Sequence, residues 1–261
     1  MTENFTEAVL KRDRFIVMLS LVGIILLAWV YTIYLTRVMG FSEISLEMVS
    51  PHAQAWTPAT FTLNFLMWTV MMIAMMTPTA APMLLFYTKI SRQRRPQRRP
   101  YLGTGLFLLG YLIVWTGFSA AATFIQWGLH SASLLSTEMV RATPLIGGIL
   151  LILAGAFQFS QLKNACLTHC RTPVGFIMTE WKEGNRGALQ MGIKHGYYCV
   201  GCCWLLMAML FVAGVMNLLW MAIITGFVLV EKLVPAGDRI GRFAGVLFLV
   251  WGVWLILLEI V

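Results

Sequence analysis

F-I-V-M-L-S-L-V-G-I-I-L-L-A-W-V-Y-T-I-Y-L, from Phe15 to Leu35, is an apolar run with no charged side chain. A helix needs about 20 such residues to cross the hydrocarbon core of a bilayer. Basic residues flank the run, Arg12 and Arg14 before it and Arg37 after it, as they would flank a secretory signal. The run is long for a signal core, and no small-x-small cleavage motif precedes Arg37. It reads as a retained helix.

Further apolar runs follow it. Crossings are expected at about Phe61–Tyr87, Tyr101–Trp127, Pro144–Leu162, Gly196–Gly214, Leu218–Val234 and Phe243–Val261. The chain is 59% hydrophobic and only 11% charged, where a soluble domain carries about 25% charge. Composition and spacing predict an all-α polytopic transmembrane bundle of about seven spans, with residues 1–261 as a single integral membrane domain. Pro78 and Pro82 each remove a backbone donor, which predicts a kink or break near Met75–Pro82. Gly147, Gly148, Ala154, Gly155 and Ala156 predict close helix approach in the fourth span. Pro173 is placed to open a short helix through Trp181, with Phe176, Ile177 and Trp181 towards lipid. Gln158, Gln161 and Asn217 read as interhelical hydrogen-bond partners. P-A-G-D, from Pro235 to Asp238, reads as a turn.

The charge pattern orients these spans. The chain has 19 Lys and Arg residues. With the N-terminus in the cytoplasm, 17 of the 19 fall on the inner side, and only Arg37 and Arg141 fall outside. Residues 1–14 are then a cytoplasmic tail and 88–100 a basic cytoplasmic loop. Residues 163–195 form a cytoplasmic loop leading into the last cysteines. The net charge of +8 is spread between spans and forms no basic domain of soluble size. That excludes a nucleic-acid partner and leaves the lipid bilayer as the first one. His52 and His130 read as isolated outer-loop residues.

All five cysteines lie in one stretch, as C-L-T-H-C from Cys166 to Cys170 and C-V-G-C-C from Cys199 to Cys203. His169 and His195 sit beside them. On a helix Cys199, Cys202 and Cys203 share a face, as do Cys166 and Cys170. Inner-side thiols are normally kept reduced, which favours a metal or catalytic role over structural disulfides. Clustered thiolates suit Cu(I) first, with zinc or iron as alternatives. Lys194 and Arg171 are close enough in sequence to stabilise thiolate. Met72 and Met76, beside the Met67, Met71 and Met75 stripe, add thioethers that would favour copper if the second span packs on the fifth. The competing reading of that stripe is ordinary core packing. Glu231 is a carboxylate at the end of an apolar run. It needs either a cation such as Lys163 or Lys232, or a role as ligand.

With these motifs in place, the chain resembles a bacterial family of predicted metal-binding integral membrane proteins, some labelled copper chaperones. The stretches that carry the resemblance are M-M-I-A-M-M-T-P (Met71–Pro78), Q-L-K-N-A-C-L-T-H-C-R-T-P (Gln161–Pro173) and G-Y-Y-C-V-G-C-C-W-L-L-M (Gly196–Met207). G-V-M-N-L-L-W-M (Gly214–Met221) and the Glu231–Lys232 pair complete it. The resemblance implies a bacterial inner-membrane location and a metal site built on the cysteines. The expected function is capture, buffering or delivery of Cu(I), with a metal-donor or metal-acceptor protein as partner. The alternatives are a membrane thiol oxidoreductase using Cys199 and Cys202, a metal transporter, and a membrane metalloenzyme. The sequence leaves the oligomeric state open.

Overall fold

An apolar segment in lipid must satisfy its backbone internally, and a helix does so within a single segment. The computed structural model describes residues 2–47, 57–94, 101–131, 135–136, 141–142, 144–215 and 217–260, and it is helical almost throughout. His52 lies outside the described residues. The helices are α1 (Thr2–Glu47), α2 (Pro58–Arg94), α3 (Tyr101–Ser131), α4 (Pro144–Phe157), α5 (Gln161–Arg171), α6 (Pro173–Glu180), α7 (Gly184–Ala208), α8 (Leu210–Ala213), α9 (Leu218–Leu233) and α10 (Gly237–Ile260). A two-residue antiparallel pair, β1 (Leu135–Ser136) and β2 (Arg141–Ala142), lies between α3 and α4. Because α8 continues α7, nine helices make up the described chain.

Five helical segments are long and apolar enough to cross a bilayer: Arg12–Arg37 in α1, α2, α3, Gly184–Ala213 in α7 and α8, and Gly237–Leu258 in α10. A sixth crossing results if α4 and α5, bent by 66° at their junction, act as one. The expected seven thus become five or six. The shortfall is α9, whose 16 residues reach only about 24 Å at 1.5 Å per residue, against a hydrocarbon core of about 30 Å, and also α4, with 14 residues, unless α5 extends it.

The helices depart from the sequence expectations in three places. Residues 2–14 are helical and form the first turns of α1, most of them before the candidate span that starts at Arg12. α2 is one unbroken helix despite Pro78 and Pro82. Near the prolines, the Met76 carbonyl accepts hydrogen bonds from the Thr79 and Tyr111 hydroxyls, at 2.9 and 3.0 Å. Such side-chain support is how a bundle tolerates proline within a span. The break occurs instead between α4 and α5, where Ser160 caps α5 by accepting from the Leu162 N–H.

The third departure is the expected loop 163–195, which is almost entirely helical. It holds most of α5, all of α6 and the first three turns of α7. Pro173 does open α6, but Phe176 and Ile177 point into the core rather than towards lipid. Gly184, at φ +80°, supplies the left-handed residue from which α7 starts.

Small residues set the closest helix contacts. Along α4 and α10 the pairing is reciprocal: a Cβ on Gly148 would lie 2.9 Å from the Gly252 carbonyl, and one on Gly155 would lie 2.7 Å from that of Gly245. This is the close approach expected of the fourth span. α3 and α7 approach in the same way. A Cβ on Gly192 would overlap the Phe107 carbonyl, and one on Gly110 the Leu189 carbonyl. Those glycines draw the first half of α7 against α3 and so extend the helix well before residue 196. Asn217 accepts from the Leu219 and Trp220 N–H groups as the cap of α9, not as a link between helices. Gln161 is exposed at the start of α5, whereas Gln158 is buried and accepts from Lys163.

Candidate functional site

The cysteines of α7 lie in the middle of its span. Cys199 comes fifteen residues after Gly184, inside a span that ends at Ala213. The N-terminal dipole of α7 is therefore about 22 Å away, beyond its useful range of one turn. Activation of Cys199 and Cys202 as a thiol pair at a helix start, one support for an oxidoreductase, is lost. Cys199, Cys202 and Cys203 share the buried face of α7, as their spacing requires, and all three are essentially inaccessible to solvent.

α5 folds back after the 66° bend and packs along α7. This brings the Cys170 side chain close enough to those of Cys199 and Cys202 to interact with both. Cys203 contacts the same two thiols. Cys166 is set to one side: its sulfur rests against Gly201, where a Cβ would meet it at 2.8 Å. All five cysteines are free. Four cysteines from two segments therefore lie near one another, with the fifth at the margin.

A polar shell surrounds Cys199. Lys232 Nζ donates to Cys199 Sγ at 2.9 Å and to Thr79 Oγ1 at 3.2 Å. The Tyr111 hydroxyl lies 3.0 Å from the same sulfur while donating to the Met76 carbonyl. One turn earlier on α7, His195 is buried among the rings of Phe176, Tyr111 and Phe107, at 5.4, 5.7 and 5.9 Å between centroids. Its Nδ1 has no hydrogen-bond partner. A buried nitrogen without a partner is costly.

Among the described residues, no group of three or more His, Cys, Asp or Glu side chains stands in an arrangement that could hold a metal ion. The local reason is visible. The Cys202 and Cys203 sulfurs are turned back onto the Cys199 carbonyl, at 3.1 and 2.9 Å. Their thiols thus satisfy a backbone acceptor instead of pointing at a common centre.

The remaining sequence candidates are spread around this cluster. His169 stacks on Tyr198, with centroids 4.2 Å apart, and its Nδ1 lies 2.9 Å from the Ala165 carbonyl. Glu231 is buried in an ion pair with Lys163 at 2.6 Å, and Lys163 also donates to Gln158. Met72 and Met76 are fully buried in α2. α2 packs along α1, α3, α6 and α9, and it reaches the cysteines through Thr79, and through the Met76 carbonyl by way of Tyr111, rather than through a thioether. Lys194 pairs with Glu180 at 2.6 Å, and Arg171 donates to the Val234 and Pro235 carbonyls. Neither is the cation at the thiols. That cation is Lys232, which sequence reasoning treated only as a partner for Glu231. The signal was available: an ammonium inside an apolar helix needs a partner, and the adjacent acid had two lysines to choose from. Tyr111 gave no such signal within its apolar span.

No curated protein matches the chain. No solved structure matches it either. A family model, PpoB2, described as copper chaperone, matches residues 65–255. That range takes in all five cysteines, His195, Tyr111 and Lys232. The chain belongs to the PpoB2 copper chaperone family.

Proposed function

We propose that the protein binds Cu(I) within the membrane through Cys170, Cys199, Cys202 and Cys203 and passes it to a partner protein. The family's description implies copper binding and a recipient for the copper. Copper is here the cargo, and thiolate is the side chain that best matches a soft monovalent ion. The observation that carries the reading is the packing of α5 along α7, which brings Cys170 beside the Cys199–Cys203 turn. Rotation about single Cα–Cβ bonds would turn the Cys202 and Cys203 sulfurs from the Cys199 carbonyl towards a shared ion. His195 Nδ1, one turn away and without a partner, is available as a fifth donor. Cys166 would act at the margin, as a first or last point of contact for the ion in transfer.

The long apolar helices support a multi-pass membrane protein. Over the first three crossings, nine Lys and Arg residues lie in segments read as inner, against Arg37 and Arg141 in those read as outer, which supports a cytoplasmic N-terminus; the family resemblance supports a bacterial inner-membrane location. Copper, zinc and iron measured together on the full chain purified in detergent test the reading. The expected result is copper bound by the wild type and lost in the C199S/C202S/C203S variant. Wild-type protein that takes up no copper under reducing conditions, or a triple variant that keeps it, would overturn the proposal.

A further inference from the structure

Lys232 is a buried ammonium whose hydrogen-bond partners are a sulfur and a hydroxyl. Its chain neighbour Glu231 is taken by Lys163. The groups that face Lys232 come from four helices: Thr79 from α2, Cys170 from α5, and Cys199, Cys202 and Cys203 from α7 all interact with it, and Tyr111 from α3 shares its sulfur partner. Of these only the thiols can supply a negative charge at neutral pH. The ammonium is therefore built into the cluster that would hold the ion.

We infer that Lys232 is the residue that makes this a site for a monovalent rather than a divalent soft cation. The inference rests on the copper-binding reading above and goes beyond it by assigning selectivity to one side chain. For any fixed set of thiolates, the ammonium repels a divalent ion twice as strongly as a monovalent one. Two thiolates, one ammonium and Cu(I) sum to zero charge. With Zn(II) the same set carries an excess positive charge in a dry interior, where uncompensated charge is most costly. A divalent ion would regain neutrality only by ionising a third buried thiol, which carries its own penalty.

Removing the charge should therefore shift the preference in a known direction. The full chain in detergent is titrated with Cu(I) and, separately, with Zn(II), each against a chromogenic chelator under reducing conditions. Wild type, K232M, K232Q and K232R are compared. In K232M and K232Q the ratio of Cu(I) to Zn(II) affinity should fall by at least about tenfold, the scale of one unit-charge interaction in a partly screened interior. K232R, which keeps the charge, should stay near the wild-type ratio. K232Q retains a donor for Thr79 and serves if K232M does not fold. A ratio unchanged in both neutral variants, or an equal fall in K232R, overturns this inference while leaving copper binding intact. A wild type that binds no Cu(I) overturns the functional reading as well.

Discussion

Two neighbouring charged residues at the end of α9, Glu231 and Lys232, find different partners. Glu231 receives Lys163 from α5, carboxylate against ammonium at 2.6 Å, with Gln158 closing the group. Lys232 instead reaches Cys199 of α7, ammonium against sulfur at 2.9 Å. The first pair is complete: both charges are answered and nothing is left for a ligand. The second is answered only by a group that also binds soft metals. One turn of one helix thus divides into a clamp that holds α5 in place and a reactive contact that α5 helps to surround. The clamp bears on the site indirectly, because Lys163 and Cys170 lie on the same helix and Cys170 is the thiol that comes from outside α7.

The largest effect should come from breaking the clamp. K163M leaves the Glu231 carboxylate buried and unanswered, which costs about 3–5 kcal/mol. The expected outcome is a steep loss of thermal stability in detergent. The K163M/E231M double variant should recover most of it, since replacing both charges by apolar groups is often neutral. If K163M alone melts like the wild type, the pair is not a clamp, and the contrast between the two lysines disappears.

C170S tests the other half at the next scale. It removes one sulfur from the cluster and leaves the α9 clamp untouched. Cu(I) affinity should fall about tenfold to a hundredfold, about 1.4–2.7 kcal/mol, with little change in melting temperature. C166S should cost less, because its sulfur rests on Gly201 at the edge. Equal losses from the two variants would mean that the ion sits between α5 and Gly201 rather than on the inner thiols.

Y111F is smaller again. The hydroxyl bridges the Met76 carbonyl and the Cys199 sulfur, so its loss should cost about 1 kcal/mol in stability, the usual worth of a hydrogen bond. Thr79 still donates to the same carbonyl, which limits the penalty. A loss above about 3 kcal/mol in melting experiments would show that Tyr111 organises the second lysine's contact and does not merely border it.

The sequence made the membrane class, most of the spans and the shared face of the α7 cysteines legible, because those depend on local periodicity. The small residues of the fourth span also marked its close approach, which Gly148 and Gly155 make to Gly252 and Gly245 of α10. The sequence failed where tertiary contact overrides local polarity. Residues 184–195 read as a polar loop, yet Gly192 and Gly196 let α7 lie against α3 there. The same error placed the cysteines near a helix start instead of in the middle of the span. In sequence Phe176 and Ile177 read as lipid-facing because an isolated short helix offers no other apolar surface; the core formed by α3 and α7 supplies one. The cation at the thiols was misassigned for a similar reason. Lys194 and Arg171 are near the cysteines in sequence, but Lys232 is nearer in space, and that proximity depends on how α9 packs.

H169A should have the smallest effect, and its value lies in what it separates. His169 sits in the C-L-T-H-C run beside Cys170, so sequence alone makes it as good a ligand candidate as His195. The two rings have different surroundings. His169 is half-buried, stacks on Tyr198, and has Nδ1 at hydrogen-bond distance from a carbonyl of its own helix. His195 is fully buried with Nδ1 unpartnered, one turn from Cys199. Replacing His169 should change Cu(I) affinity less than about twofold, while H195A should lower it by about tenfold if the nitrogen takes part, a difference of about 1 kcal/mol. The comparison uses the same chelator titration for both variants. If H169A weakens copper binding more than H195A, the ion lies on the outer side of α5, and the sulfur contact of Lys232 has no part in holding it.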